Sequence, residues 1–138
     1  MTAPLPYPEA RETDINRECL VAWRERGALL VQKCGACDHV FYYPRAVCPA
    51  CFAPDPAWLS ANGTGTIVLA TRIHRPNHPS FFDEVPVILA EIALPEGCSL
   101  LARVVGPDRE DAAPGSAVRL IAPPDHARYP LPTFVLGN

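Results

Sequence analysis

The sequence predicts a mainly β protein: an N-terminal helix, a small metal-held ribbon, then a five-stranded barrel. Three observations predict it. Four cysteines stand in the spacing Cys34-x2-Cys37-x10-Cys48-x2-Cys51, two hooks able to converge on one tetrahedral ion. From Ala61 onward the chain turns into short β-branched runs divided by Gly and Pro, the pattern of a compact all-β unit. Ahead of both, apolar residues recur at helical spacing. The expected divisions are residues 1–27 for the lead and helix, 28–60 for the ribbon and 61–138 for the barrel.

The lead, with Pro4, Pro6 and Pro8, is too extended to pack by itself. Thr13 can cap a helix over residues 14–26, with Asp14 in its first turn, Arg24 and Arg26 in its last, and Gly27 as the stop. Ile15, Cys19 and Trp23, with Leu20 beside them, form one apolar stripe. Two readings of that stripe stay open: packing onto this chain's own ribbon, or docking on a partner subunit.

Residues 28–33 read as a strand feeding the first hook. A single Cys-x-x-Cys would be ambiguous, since redox and haem-attachment sites share it. Paired hooks read as a structural Zn2+ site with Cys34, Cys37, Cys48 and Cys51 as ligands. Between them, Phe41, Tyr42 and Tyr43 are expected to cover the metal site. Four thiolates complete a tetrahedron, so His39 belongs at the surface or in support of a ligand. Cys19 and Cys98 lie outside the hooks and read as small buried hydrophobes.

In the barrel region, residues 64–75 form a long first strand, with Gly63 and Gly65 permitting a bulge or bend. Residues 76–84 are a loop carrying His78, Phe81 and Phe82. Residues 86–94, 98–105, 115–122 and 131–136 supply four more strands, with a polar connection over 106–114. Five short strands with one longer connection between the third and fourth suit an OB-like barrel.

Composition narrows the roles. The 138 residues allow one or two small domains, and the prolines, 17 in all, argue for short elements and many turns. No apolar run reaches the roughly 18 residues of a membrane span. The N-terminus has no signal-peptide pattern, so a reducing cytoplasm is expected, where thiols stay available for metal. Net charge is -3, with eleven of the twelve basic residues Arg. From residue 61 onward six Arg face eight Asp or Glu. A single-stranded nucleic-acid-binding module stays as an alternative reading of a ribbon and barrel, weakened because such a binder wants a basic groove and aromatic platforms on its strands and the first four barrel strands carry no Phe, Tyr or Trp.

No phosphate loop, nucleophile elbow or second metal cluster is present, so no catalytic residue is assigned. His74, His78 and Asp83-Glu84 could form an acid–base cluster, but a solvated or interface loop accounts for them as well. Arg72, Arg75 and Arg103 could reach phosphates, and equally could be surface ion-pair members. Adjacent Phe81 and Phe82 cannot both face one barrel interior, so at least one should be exposed or packed elsewhere. Phe81, Phe82, His74 and Arg75 are therefore the candidate contacts for a partner or, on the family resemblance given next, an acyl-CoA. An iron rubredoxin-like electron carrier is a further alternative, which a colourless protein would exclude.

The strings Leu30-Val31-Gln32-Lys33-Cys34-Gly35-Ala36-Cys37, Tyr43-Pro44-Arg45 and Cys48-Pro49-Ala50-Cys51 resemble a known family. Trp58, Asn62-Gly63-Thr64-Gly65, Ile73-His74-Arg75, Pro86-Val87-Ile88-Leu89-Ala90, Glu96-Gly97 and Pro132-Thr133-Phe134 continue the likeness over nearly the whole chain. It is the acyl-CoA-associated zinc-ribbon/OB-fold family once called domain of unknown function 35. Val87 and Pro95 depart from its usual pattern, where Tyr and an acidic residue are common. The resemblance implies a rubredoxin-like ribbon, an OB-fold and a non-catalytic role. Such a chain accompanies a thiolase-fold enzyme (thiolase, acyltransferase or lipid-transfer-protein-like aldolase), as a heterotetramer, with acyl-CoA at or near the interface and no nucleic acid. The CoA thioester is then the substrate of the complex. Some members partner MaoC-type enoyl-CoA hydratases instead.

Overall fold

The computed structural model describes residues 5–137; Pro4 and the three residues before it, named above in the lead, lie outside them. In chain order come helix α1 (Arg17–Arg26), then β1 (Leu30–Lys33), β2 (Val40–Phe41) and β3 (Ala57–Ser60), then the barrel strands. Those are β4 (Thr64–Ile73), β5 (Val87–Ala93), β6 (Ser99–Val105), β7 (Ala117–Leu120) and β8 (Thr133–Leu136). Three short 3-10 turns, Pro79–Glu84, Arg109–Asp111 and Asp125–Arg128, sit in the connections.

The helix begins later than the sequence suggests. Thr13 and Asn16 exchange hydrogen bonds, Asn16 Oδ1 accepting from the Thr13 amide at 2.7 Å and Thr13 Oγ1 from the Asn16 amide at 3.3 Å. That reciprocal pair holds residues 13–16 as a turn, and regular helix follows. The stripe is correspondingly shorter. Cys19 and Trp23 are buried, but Ile15 lies on the preceding turn and stays 47 % exposed. Gly27 ends the helix in the left-handed region at φ 64°, donating its N–H to the Trp23 carbonyl. A Cβ there would also stand 3.1 Å from the His126 ring.

The ribbon is a three-stranded antiparallel sheet in the order β2-β1-β3. The barrel closes in the order β4-β5-β6-β8-β7, with β7 pairing back to β4 and the β6–β8 pair parallel. That closure leaves no sheet edge open. Alternation drives it: along β5, Ile88, Ala90 and Ile92 point inward, where they meet Ile67, Leu100, Val104, Val118 and Phe134. The bulge expected at Gly63 or Gly65 lies instead at Val68, between Ile67 and Leu69. Gly65 serves close approach, since a Cβ would stand 2.5 Å from Ile92 Cγ2.

Leu29, Val31 and Tyr42 of the ribbon belong to the same buried cluster as the barrel residues. Two of the ribbon aromatics turn toward the barrel. Tyr42 packs into that shared core, and the exposed Tyr43 reaches the barrel, its hydroxyl accepting from the Leu101 amide at 3.3 Å.

Both flanking strands are shorter than the sequence suggests, and the connection over residues 121–132 between them receives the helix. The Trp23 indole donates to the Tyr129 carbonyl at 2.8 Å and meets the His126 ring edge-on. The helix thus packs on this chain's own ribbon and barrel loop through Cys19, Ala22 and Trp23.

Candidate metal centre and apolar groove

Both hooks fold alike. In each, the first cysteine's carbonyl accepts from the amide four residues on, Asp38 to Cys34 and Phe52 to Cys48. Those two residues share φ 64°. In each, the amide two residues after the first cysteine points at its sulfur: Ala36 to Cys34 and Ala50 to Cys48, both at 3.3 Å. The amide of Cys37 and then that of Ala36 draw the Cys34 thiol down to about 6, so thiolate forms readily there.

The four sulfurs of Cys34, Cys37, Cys48 and Cys51 all lie within 4.8 Å of one another. Cys34 and Cys51 are 3.5 Å apart, Cys37 and Cys48 3.7 Å. A regular tetrahedron with Zn–S bonds of about 2.3 Å has edges of about 3.8 Å. The donor set therefore fits zinc. Gln32, buried beneath the hooks, pins the arm between them: its amide donates to the Arg45 carbonyl at 3.0 Å and accepts from the Arg45 N–H at 2.8 Å. His39 stays exposed and stacks on Phe41.

A second feature was not legible in the sequence. An apolar groove of about 470 Å³ runs between helix, ribbon arm and barrel, with Leu20, Tyr42, Leu101, Arg103 and Leu131 among its walls. An adjoining hollow of about 410 Å³, reaching Arg75 and His78, shares Phe81, Leu89 and Arg103 with it. The lead roofs the groove. Tyr7 is buried, its ring stacked between Phe81 (5.1 Å) and Tyr129 (5.6 Å). Its hydroxyl donates to the Glu84 carboxylate at 2.6 Å.

Glu84 also receives Arg103 at 2.9 Å and Arg128 at 3.2 Å. Partial burial pushes its carboxyl up, but hydrogen bonds from Tyr7 and Arg103 and the charges of both arginines outweigh this and hold it below the usual carboxylate range. Burial, then the bond to Glu84, raises the Tyr7 phenol. The Arg103 guanidinium lies 5.3 to 5.9 Å from the Phe81, Tyr7 and Tyr129 rings.

The suspected acid–base cluster is not assembled. Glu84 is committed to Tyr7 and two arginines, and His78 Nδ1 caps the 3-10 turn, accepting from the Ser80 amide. Of the candidate contacts, Phe81 joins the groove wall, Arg75 joins the hollow, and Phe82 and His74 are exposed. The arginines divide: Arg103 pairs with Glu84, Arg72 donates to the Glu110 carbonyl, and Arg75 is exposed. Cys19 and Cys98 are raised by burial, as inert thiols are.

Comparison with known proteins agrees with this architecture. Residues 24–57 match the ChsH2 rubredoxin-like zinc ribbon domain and residues 58–122 the ChsH2 C-terminal OB-fold domain. A solved structure described as an Ltp2-ChsH2(DUF35) aldolase contains a similar chain, with 28 % identity and TM-score 0.74 over 93 % of this chain and 98 % of that one. A DUF35 protein of unknown function from Sulfolobus solfataricus shares the fold, with TM-score 0.65 and 17 % identity over 90 % of this chain and 86 % of that one. A probable enoyl-CoA hydratase alpha subunit of Thermomonospora curvata is 36 % identical over 83 residues, which are 59 % of this chain and a quarter (25 %) of that protein. With four clustered thiols on a ribbon, a closed five-stranded barrel and both domain matches, this chain belongs to the ChsH2 (DUF35) family of zinc-ribbon and OB-fold proteins.

Proposed function

We propose that this chain is the non-catalytic small subunit of a complex that acts on acyl-CoA thioesters. Its larger partner is a thiolase-fold enzyme that makes or breaks a carbon–carbon bond by thiolysis, acyl transfer or retro-aldol cleavage. The observation that carries the reading is the end-to-end likeness to a chain of an aldolase complex, over 98 % of that chain's length. The side chains support it. Of the groups that could do acid–base chemistry, His78 and Glu84 are spent on structural bonds and His74 and Asp83 lie exposed, which suits a chain that leaves reaction chemistry to its partner.

Cys34, Cys37, Cys48 and Cys51 hold Zn2+ in this reading, and the metal supplies scaffolding. Phe82, His74 and Arg75, exposed beside the groove-lining Phe81, are the contacts to partner or acyl-CoA. A heterotetramer in the cytoplasm, with acyl-CoA near the subunit boundary, is the assembly proposed.

Co-expression with the product of the neighbouring gene, followed by size exclusion and a CoA-ester cleavage assay, tests this. The two chains should co-elute and turnover should need both; Phe82→Ser should weaken co-elution without unfolding the chain. Separate elution, with partner turnover indifferent to this chain, would sink the proposal. The match to a hydratase alpha subunit favours a second reading, the small subunit of a MaoC-type enoyl-CoA hydratase. Hydration of an enoyl-CoA without carbon–carbon cleavage would select it.

A further inference from the structure

We propose that the N-terminal lead is a latch over a ligand site, with Tyr7 as its catch. The site takes a molecule with an aliphatic body and one oxygen acceptor, bound at that end by Arg103. This goes beyond the subunit role above and needs no partner enzyme.

The groove's volume of about 470 Å³ falls within the roughly 300–1,000 Å³ of small-molecule pockets. Leu20, Tyr42, Leu101 and Leu131 give it apolar walls, which suit a hydrocarbon body. Arg103 stands where the groove meets the adjoining hollow. One Arg103 terminal nitrogen is paired with Glu84, but its Nε–H is shut from solvent without an acceptor. A buried donor without a partner is costly to leave, and a ligand oxygen would satisfy it. Charge agrees: Arg103 and Arg128 surround the single carboxylate of Glu84, an excess of positive charge that favours an anionic or strongly accepting end.

The latch rests on separate geometry. Among residues 5–10, Tyr7 alone is buried; its neighbours on both sides are exposed. Over residues 5–10 the lead is therefore held at one point, by two stacked rings and one carboxylate, and it is tied to the helix only from Arg11 and Glu12 onward. That same ring lies 5.4 Å from the Arg103 guanidinium and forms part of the groove wall. Lifting Tyr7 uncovers Arg103 and opens the groove together.

The test is calorimetry on the full zinc-loaded chain with dodecanoate, below its micelle concentration, as probe. Dodecyltrimethylammonium is the control of opposite charge. Dodecanoate should bind at one site, at least tenfold tighter than the control. Tyr7→Ala should bind it severalfold tighter and faster than wild type. Leu101→Glu, at an exposed wall position and so tolerated by the fold, should abolish binding. Arg103→Gln, if folded, should erase the preference over the control. No binding to either wild type or Tyr7→Ala would overturn the site, and so would unchanged binding by Leu101→Glu. Equal affinity and rate for wild type and Tyr7→Ala would overturn the latch. The chain is assayed alone, so these failures are distinct from failure of the partner reading.

Discussion

Four segments converge on Glu84: the lead through Tyr7, the 3-10 turn that carries the carboxylate, β6 through Arg103 and the last connection through Arg128. Because the folded carboxyl is held below its ordinary value, the sign of its pH dependence is set. Its contribution is fully present above about 4.3, the ordinary Glu value, and is lost as pH falls through the lower folded value. The Tyr7 ring resonances, followed by NMR, should thus keep their folded positions from neutral pH down to the ordinary carboxylate range and collapse toward free-tyrosine values as pH falls below it. Glu84→Gln should displace them at every pH and flatten the profile. A wild-type profile without the acid collapse would remove Glu84 as the lead's anchor.

At the scale of elements, the ribbon depends on its four cysteines and the barrel on its hydrocarbon. Metal binding in small thiolate domains is worth about 10 to 16 kcal/mol, more than a sheet of three short strands supplies. Cys37→Ser should therefore open residues 28–57 to proteolysis. The barrel should stay folded, because its strands close on themselves. It should nevertheless melt at a lower temperature than in the wild type, since Leu29, Val31 and Tyr42 leave a core that the two units share. A strong chelator should reproduce both effects. Proteolysis and melting identical to wild type would refute a structural metal.

Across the whole molecule, Trp23 ties the first element to the last connection. Its indole is 1 % exposed and bonds a carbonyl 106 positions away. Trp23→Ala should cost about 3–5 kcal/mol in urea unfolding. Trp23→Phe should cost about 1–3 kcal/mol, chiefly from leaving the Tyr129 carbonyl short of its donor. Both should loosen the Tyr129 wall of the groove, so each should also weaken dodecanoate binding.

The elements and the clustering of the four cysteines were legible in the sequence because their causes are local. Hook spacing brings four sulfurs together whatever surrounds them, alternation sets which side of β5 is buried, and Gly27 stops a helix by its own backbone freedom. Near misses came where a local signal had two outcomes: Thr13 capped a turn before it started a helix, and Gly65 marked close approach while the bulge fell at Val68. The groove and its catch were decided only in three dimensions. Tyr7 meets Glu84 across 77 positions, and nothing in a proline-spaced lead announces a burial site that other segments must first build. Sequence alone thus determined a zinc-ribbon and barrel chain. Tertiary structure decided where its free apolar surface lies and which side chain closes it, because those depend on contacts that no short stretch of chain contains.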